Sequence, residues 1–173
     1  MLNLIFPKVC SGCKTILRAS ERVLCLKCRH TLPLTRYHLT GNDTMKSLFY
    51  GRIPLEAATA LVQFQKKGVT QELLHNLKYR GQQRVGTFFG KWLGEELKDL
   101  NPYHTVNMVI PVPLHKTRLR KRGYNQVTMF GKEIANALQV PYKENLLLRV
   151  SQTGSQVFKE RLTRFGSDHI FTI

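Results

Sequence analysis

The sequence predicts an α/β protein in which a small zinc ribbon with four cysteine ligands precedes a domain built on a parallel sheet. Three observations support this fold class. Two Cys-x-x-Cys pairs lie within the first 28 residues and contain all four cysteines of the chain. An apolar segment, a helical period and a second apolar segment follow one another between residues 106 and 150, the order of a right-handed parallel crossover. Hydrophobic residues make up 42% of the 173, enough to bury a substantial core.

The four predicted metal ligands are Cys10, Cys13, Cys25 and Cys28. Each Cys-x-x-Cys turn aims two thiolates at one ion, and two such turns supply the tetrahedral site that zinc prefers. Two disulfides are the alternative, which a reducing compartment disfavours, and a thioredoxin-like redox site needs one such pair rather than two. Four thiolates leave no open coordination position, so a structural zinc is expected.

The elements after the ribbon follow from turn residues and hydrophobic periodicity. Residues 30–44 contain the proline, glycine, asparagine and aspartate typical of a linker. We therefore predict a ribbon and linker over residues 1–45 and a second domain over residues 46–173. Thr70 is the predicted N-cap of a helix that ends near Tyr79 and carries an apolar face of Leu73, Leu74 and Leu77.

Two further helices and two strands are predicted. One helix covers residues 84–100, and its period places an apolar face in the core. The other covers residues 125–138, between short buried strands at residues 106–113 and 145–150. The residues expected on the buried face of the first helix are Val85, Phe88, Phe89, Trp92, Leu93 and Leu97.

The charge of the chain is strongly positive. Lysine and arginine number 27 against 11 acidic residues, which gives a formal net charge of +16. This imbalance favours a polyanionic partner such as nucleic acid, anionic lipid or a phosphorylated small molecule. A basic solubilising surface is the alternative. No stretch approaches the roughly 20 apolar residues that cross a bilayer, and the apolar run at residues 2–6 is too short for a signal peptide. We therefore expect a cytoplasmic protein without a transmembrane segment.

The densest positive charge follows the first predicted strand. Pro111, Val112 and Pro113 end that strand, at the edge where open α/β sheets bind ligands. A loop with five cations comes next, and arginine offers bidentate hydrogen bonds to phosphate. Gly123 permits close backbone approach. Asn125 and Gln126 lie near the N-terminus of the next helix, which also favours anions. The cations are Lys116, Arg118, Arg120, Lys121 and Arg122, and His115, beside them, is a phosphate contact or a surface residue.

Four motifs together resemble the ComF (ComFC) family of bacterial competence proteins. They are the cysteine pairs, "LKYRG" at residues 77–81, "PVPLHKTRLRKRGYNQ" at residues 111–126, and "QTGSQVFKERLTRF" at residues 152–165. The resemblance covers nearly the whole chain. It implies a zinc ribbon followed by a type I phosphoribosyltransferase-like domain, and a role in natural competence, the uptake of single-stranded DNA into the cytoplasm.

The resemblance also implies ligands and partners for the basic segment. The ligands are single-stranded DNA and phosphoribosyl pyrophosphate with Mg²⁺, and other competence proteins, such as a DNA-translocating helicase, are implied partners. Tyr79 and Tyr124 are expected to be exposed and could stack on unpaired bases, and ordinary half-buried packing of both rings is the alternative. The predicted diphosphate-binding residues are Pro111, Val112, Pro113, His115, Lys116, Arg118, Arg120, Arg122, Gly123, Asn125 and Gln126.

The chain departs from the family pattern near its C-terminus. Family members continue into a strand that ends in two adjacent acidic residues and a Thr/Gly-rich turn, which hold the phosphoribosyl group. This sequence has no Asp-Asp pair, and Glu95-Glu96 lies inside a predicted helix. We therefore expect a C-terminally truncated phosphoribosyltransferase-like domain, whose enzymatic activity the sequence leaves open. The alternative function is a non-enzymatic zinc-ribbon module that binds nucleic acid or acts as an adaptor.

Overall fold

The computed structural model describes residues 7–151 and 170–173. Within these residues the chain is mainly helical, with one small sheet of two strands. The helices are α1 (Leu26–His30), α2 (Tyr37–Thr40), α3 (Thr44–Ser47), α4 (Val69–Tyr79), α5 (Arg84–Leu97), α6 (Asn101–His104), α7 (Lys116–Arg122) and α8 (Thr128–Ala137), and the strands are β1 (Leu148–Arg149) and β2 (Phe171–Thr172).

The helix α4 forms where the sequence predicts it, but it starts earlier. Gly68, not Thr70, is the N-cap residue, and Thr70 lies buried inside the first turn. The amide of Lys67 donates a hydrogen bond of 2.6 Å to the side-chain oxygen of Gln71, which satisfies a free donor just before the helix.

The helix α5 confirms the predicted apolar face. Val85, Phe89, Leu93 and Leu97 are buried, and Phe88 and Trp92 are half-buried. Both α5 and α8 are shorter than expected: α5 ends at Leu97 and α8 begins at Thr128. The two helices pack against each other along glycines of α5, so their backbones lie very close.

One hydrophobic core extends from the cysteine region into the helices. It joins Cys10, Val23, Leu24, Cys28 and Leu32 to the apolar faces of α4 and α5. Backbone hydrogen bonds also connect Thr35 to Leu61 and Gln63 to Pro33. The domain boundary near residue 45 stays a prediction, but the two sides of it share buried contacts.

The predicted parallel sheet is not found in the described residues. Over residues 106–113 only Val109 forms a bridge, a parallel one to Tyr142, so the crossover around α8 is reduced to a single pair. The sheet that does form pairs β1 with β2, and it is antiparallel. Pro111 and Pro113 lack the amide donors that a strand needs, which ends pairing just beyond Val109. The phosphoribosyltransferase-like fold stays a prediction.

None of the helices in residues 7–151 has the length and apolar character that crossing a bilayer requires.

Candidate metal centre and basic surface

The four cysteines predicted as ligands lie together at one point. Their Sγ atoms are all within 4.8 Å of one another, and those of Cys13 and Cys25 are 3.6 Å apart. A tetrahedral zinc with Zn–S bonds of about 2.3 Å holds its sulfur atoms at about 3.8 Å from each other. The cluster can therefore hold a metal ion, and four thiols are the donor set of a structural zinc site.

Two short backbone units position these sulfur atoms. Cys10 and Cys13 lie in the turn between Val9 and Ile16, which form an antiparallel bridge. Cys25 is the N-cap residue of α1, and Cys28 lies within that helix. Each unit is a tight turn, so each presents both of its sulfur atoms to the same point.

Backbone amides surround the sulfur atoms. The amides of Gly12 and Cys25 donate to Cys10 Sγ at 3.4 and 3.3 Å, and the amide of Cys28 donates to Cys25 Sγ at 3.5 Å. Such N–H donors stabilise the negative charge of a metal-bound thiolate.

The thiols differ in how readily they ionise. Hydrogen bonds from the hydroxyl and the backbone amide of Thr15 lower the pKa of Cys13 to about 6. Burial raises the pKa of Cys28, because a thiolate in an apolar environment lacks solvation. A bound cation supplies the favourable charge that a buried thiolate otherwise lacks. A metal ion held by all four sulfur atoms would relieve this cost at Cys28.

The basic segment predicted as a loop is mostly the helix α7. His115 is its N-cap residue and accepts a hydrogen bond from the amide of Thr117 at its Nδ1, 3.4 Å away. Gly123 ends the helix with φ of +80°, a conformation that favours glycine. The helical backbone spreads the charges around its axis. Lys116 and Arg120 share one side and Arg118 and Arg122 another, since residues four apart lie on one face.

The flanks of α7 are anchored to the body of the molecule. Pro111 and Asn125 are buried, and Asn125 Nδ2 donates to the carbonyl of Val112 at 2.9 Å. The guanidinium of Arg122 donates to the side-chain oxygen of Gln126. The structure thus brings both ends of the predicted ligand segment together, and it leaves Lys116, Arg118 and Arg120 exposed on the helix between them.

Two tyrosines join α7 to the end of α4. The Arg122 guanidinium lies over the ring of Tyr79, 5.6 Å from its centre, and Tyr79 is 68% exposed. Tyr124, predicted to be exposed, is instead half-buried and donates its hydroxyl proton to the carbonyl of Leu77. The "KYRG" turn at residues 78–81 and α7 therefore form one continuous surface. We call this surface the basic face, formed by α7 and residues 78–81.

Sequence reasoning missed two arginines near these sites. The pKa of Arg149 is lowered, chiefly by burial and also by the charge of Arg118, so β1 contributes a cation beside α7. Arg84 donates to the carbonyl of Val9 at 3.2 Å and so reaches the cysteine ribbon. Neither contact has a local sequence signal, because each joins segments more than 25 residues apart. The motif at residues 152–165 lies outside the described residues.

Comparisons with known proteins support the resemblance described above. No family model matches the chain, and no solved structure matches it. The chain is similar to Competence protein F of Haemophilus influenzae, with 28% identity over 87 residues. The match covers 49% of this chain and 38% of that protein, so the chain spans about two fifths of the length of the relative that it matches. This similarity, together with the clustered cysteines, supports the ComF family for this chain.

Proposed function

We propose that this chain is a competence-associated protein that binds single-stranded DNA on the basic face and is stabilised by a structural zinc ion at its four cysteines. The observation that carries the DNA proposal is the packing of Arg122 over exposed Tyr79, which joins two separate basic segments. The chain's similarity to a competence protein supports the biological role.

The chemistry of the basic face suits an unpaired strand. Cations along α7 can neutralise successive phosphates, and the exposed Tyr79 ring can stack on a base. Arginine over that ring adds a second planar group to the stack. Duplex preference should be weak, since α7 has seven residues of which five are cations, with few side chains suited to reading base edges.

The DNA proposal is tested by the salt dependence of binding. An oligothymidine strand of about 20 nucleotides, labelled with a fluorophore, is titrated with the zinc-loaded protein at several salt concentrations. Replacing Arg118, Arg120 and Arg122 together by alanine should reduce the slope of log K against log salt by up to about 2. Arg118 and Arg122 share one side of α7 and account for two lost contacts at about 0.7 each, and Arg120 adds a third where the strand also reaches its side of the helix.

A matched control removes the same charge elsewhere. Lys27, Lys66 and Lys91 are exposed and lie outside the basic face, so their triple alanine variant should keep most of the parent's slope. Equal slopes for the parent and the arginine variant, with both proteins folded, would show that the basic face is not the DNA-binding site.

A second candidate ligand is phosphoribosyl pyrophosphate with Mg²⁺, at residues 111–126. The bond between Asn125 and the Val112 carbonyl fixes the two ends of this segment, which supports a preformed site. The choice of this ligand rests on the family resemblance. Calorimetry with phosphoribosyl pyrophosphate and Mg²⁺ tests whether this segment binds it, and an absence of heat would favour the non-enzymatic nucleic-acid-binding or adaptor module. We also propose a cytoplasmic location, which suits reduced cysteines, and a DNA-translocating helicase as a partner.

A further inference from the structure

A groove runs beside the cysteine ribbon, away from the residues proposed to bind DNA. Its volume is about 690 Å³. Four cations line it, together with the aliphatic side chains of Ile16 and Leu17. Ile16 is 65% exposed, so most of its side chain is open to solvent beside the groove. The four cations are Lys8, Arg18, Arg22 and Arg84.

The positive charge of this groove is poorly balanced. Among the described residues none of the four cations forms an ion pair. The acidic residue in the lining is Glu21, and its carboxylate is engaged by the backbone. It accepts hydrogen bonds from the amides of Arg18 at 2.8 Å and Leu26 at 2.7 Å. The groove therefore has a net positive charge and attracts acidic groups.

The hairpin beside the groove has an open backbone edge. Val9 and Ile16 face each other without bonding directly, because the bonds on either side run from Leu17 to Lys8 and from Cys10 to Thr15. In such a pair the amide and carbonyl of each residue point away from the opposite strand. The guanidinium of Arg84 donates a hydrogen bond to the carbonyl of Val9. Across residues 7–151 and 170–173, the amide and carbonyl of Ile16 have no hydrogen-bond partner.

We propose that this groove binds an extended acidic segment of a partner protein, which adds a strand to the hairpin at Ile16. The backbone of the segment would exchange two hydrogen bonds with Ile16, as in other cases of strand addition. Side chains that alternate along the segment would then divide between two environments. Acidic groups would meet the cations, and aliphatic groups would cover Ile16 and Leu17.

The lining favours a peptide over a nucleic acid strand. No aromatic ring lines the groove among the described residues, so bases would have no ring to stack on. The exposed side chain of Ile16, the half-buried side chain of Leu17 and a free backbone edge instead match the needs of an extended peptide. This proposal does not depend on DNA binding at the basic face.

Selection from random octapeptides displayed on phage, with the full zinc-loaded chain as bait, tests the proposal. Selected peptides should alternate Asp or Glu with Val, Ile or Leu. A synthetic peptide of the selected sequence should bind the R18E/R22E variant at least about tenfold more weakly than the parent. Exposed cations outside the groove provide the matched control, a K66E/K91E variant with the same charge change, which should bind like the parent.

A second measurement uses the parent protein alone. Methylating the central backbone amides of the selected peptide removes its donors without changing its charge, and strand addition then predicts at least about a tenfold loss of affinity. Failure of the library to yield acidic aliphatic peptides, or equal binding of the methylated peptide, would overturn the proposal. Loss of oligothymidine binding in R18E/R22E with an intact basic face would assign the groove to nucleic acid instead.

Discussion

Asn76 of α4 donates a hydrogen bond from Nδ2 to the backbone carbonyl of Ser11, 2.7 Å away, and both residues are fully buried. Ser11 lies between two of the clustered cysteines, so this bond connects the first cysteine turn to α4. An ion pair of 2.9 Å between Lys14 and Glu72 lies on the same side. The cysteine ribbon and α4 are therefore packed directly against each other.

Replacing Asn76 by alanine should destabilise the whole protein. The carbonyl of Ser11 would lose its short buried hydrogen bond and keep only the amine of Lys14, 3.4 Å away, which costs about 1 kcal/mol of unfolding free energy. Urea unfolding of the zinc-loaded protein, followed by circular dichroism, measures this loss. Asn136→Ala is the matched control, because Asn136 is exposed on α8 and its change should alter the free energy by less than about 0.5 kcal/mol. Equal effects of the two changes would contradict the proposed tie.

Removing the metal should affect the helices as well as the ribbon. We predict one zinc ion per chain at Cys10, Cys13, Cys25 and Cys28, and structural zinc contributes on the order of 10 to 16 kcal/mol in small finger peptides. Because the core is shared with α4, chelation or Cys13→Ser should raise amide hydrogen exchange in α4 as well as in the first 40 or so residues. Zinc content after reducing purification, and mass spectrometry of exchange, test this prediction. Much less than one zinc per chain would refute it.

A partly buried polar network joins α2 to α5. The side chain of His38 is fully buried, and its Nε2 lies 2.7 Å from Glu96 Oε2. Trp92 Nε1 donates to the other carboxylate oxygen at 2.7 Å. A carboxylate can only accept, so His38 Nε2 carries a proton. In the neutral ring Nδ1 then accepts from the Thr59 hydroxyl, 3.0 Å away.

Replacing Glu96 by alanine should therefore cost about 2 kcal/mol of unfolding free energy, because two donors lose their acceptor and one of them is buried. Tryptophan fluorescence gives a direct reading, since Trp92 is the single tryptophan of the chain. Glu95→Ala is the control: Glu95 pairs with Lys98 at the surface, and such pairs contribute about 0 to 1 kcal/mol. If the two variants unfold at the same urea concentration, the network is not stabilising.

The sequence predicted those features that depend on nearby residues. The cysteine spacing and the periodicity of α4 and α5 are local patterns in the sequence. The structure contains the cysteine cluster and both helices that these patterns predict. The network of His38 and Glu96 joins residues 58 positions apart, and no local pattern indicates it. The contact of Arg122 with Tyr79 likewise joins residues far apart in the sequence, so no local pattern indicates it.

The basic segment shows that a local signal can also be overlooked. Lysine and arginine favour helices, and a glycine directly after such a run is a typical helix end. Residues 116–123 have both features, yet the clustered charge favours the prediction of a loop.

The strand predicted at residues 106–113 does not form for a different reason. Its apolar pattern was correct for a strand, but a strand also needs partners, and among the described residues only Tyr142 pairs with it.

The last prediction concerns the contact between α5 and α8. A Cβ atom added at Gly90 would lie 2.5 Å from the carbonyl oxygen of Phe130, far below a normal contact, and the obstacle is backbone. At Gly86, one turn earlier, the nearest atom would be 3.4 Å away, which is ordinary contact.

Alanine favours a helix over glycine by about 1 kcal/mol at either position. Gly86→Ala should therefore leave the unfolding free energy unchanged or raise it by up to about 1 kcal/mol. Gly90→Ala should lower it by about 1 to 3 kcal/mol, because the helices must move apart and lose core packing. Thermal and urea unfolding of both variants measure the difference, and a Gly90→Ala protein as stable as the Gly86→Ala protein would show that the two helices do not pack this closely.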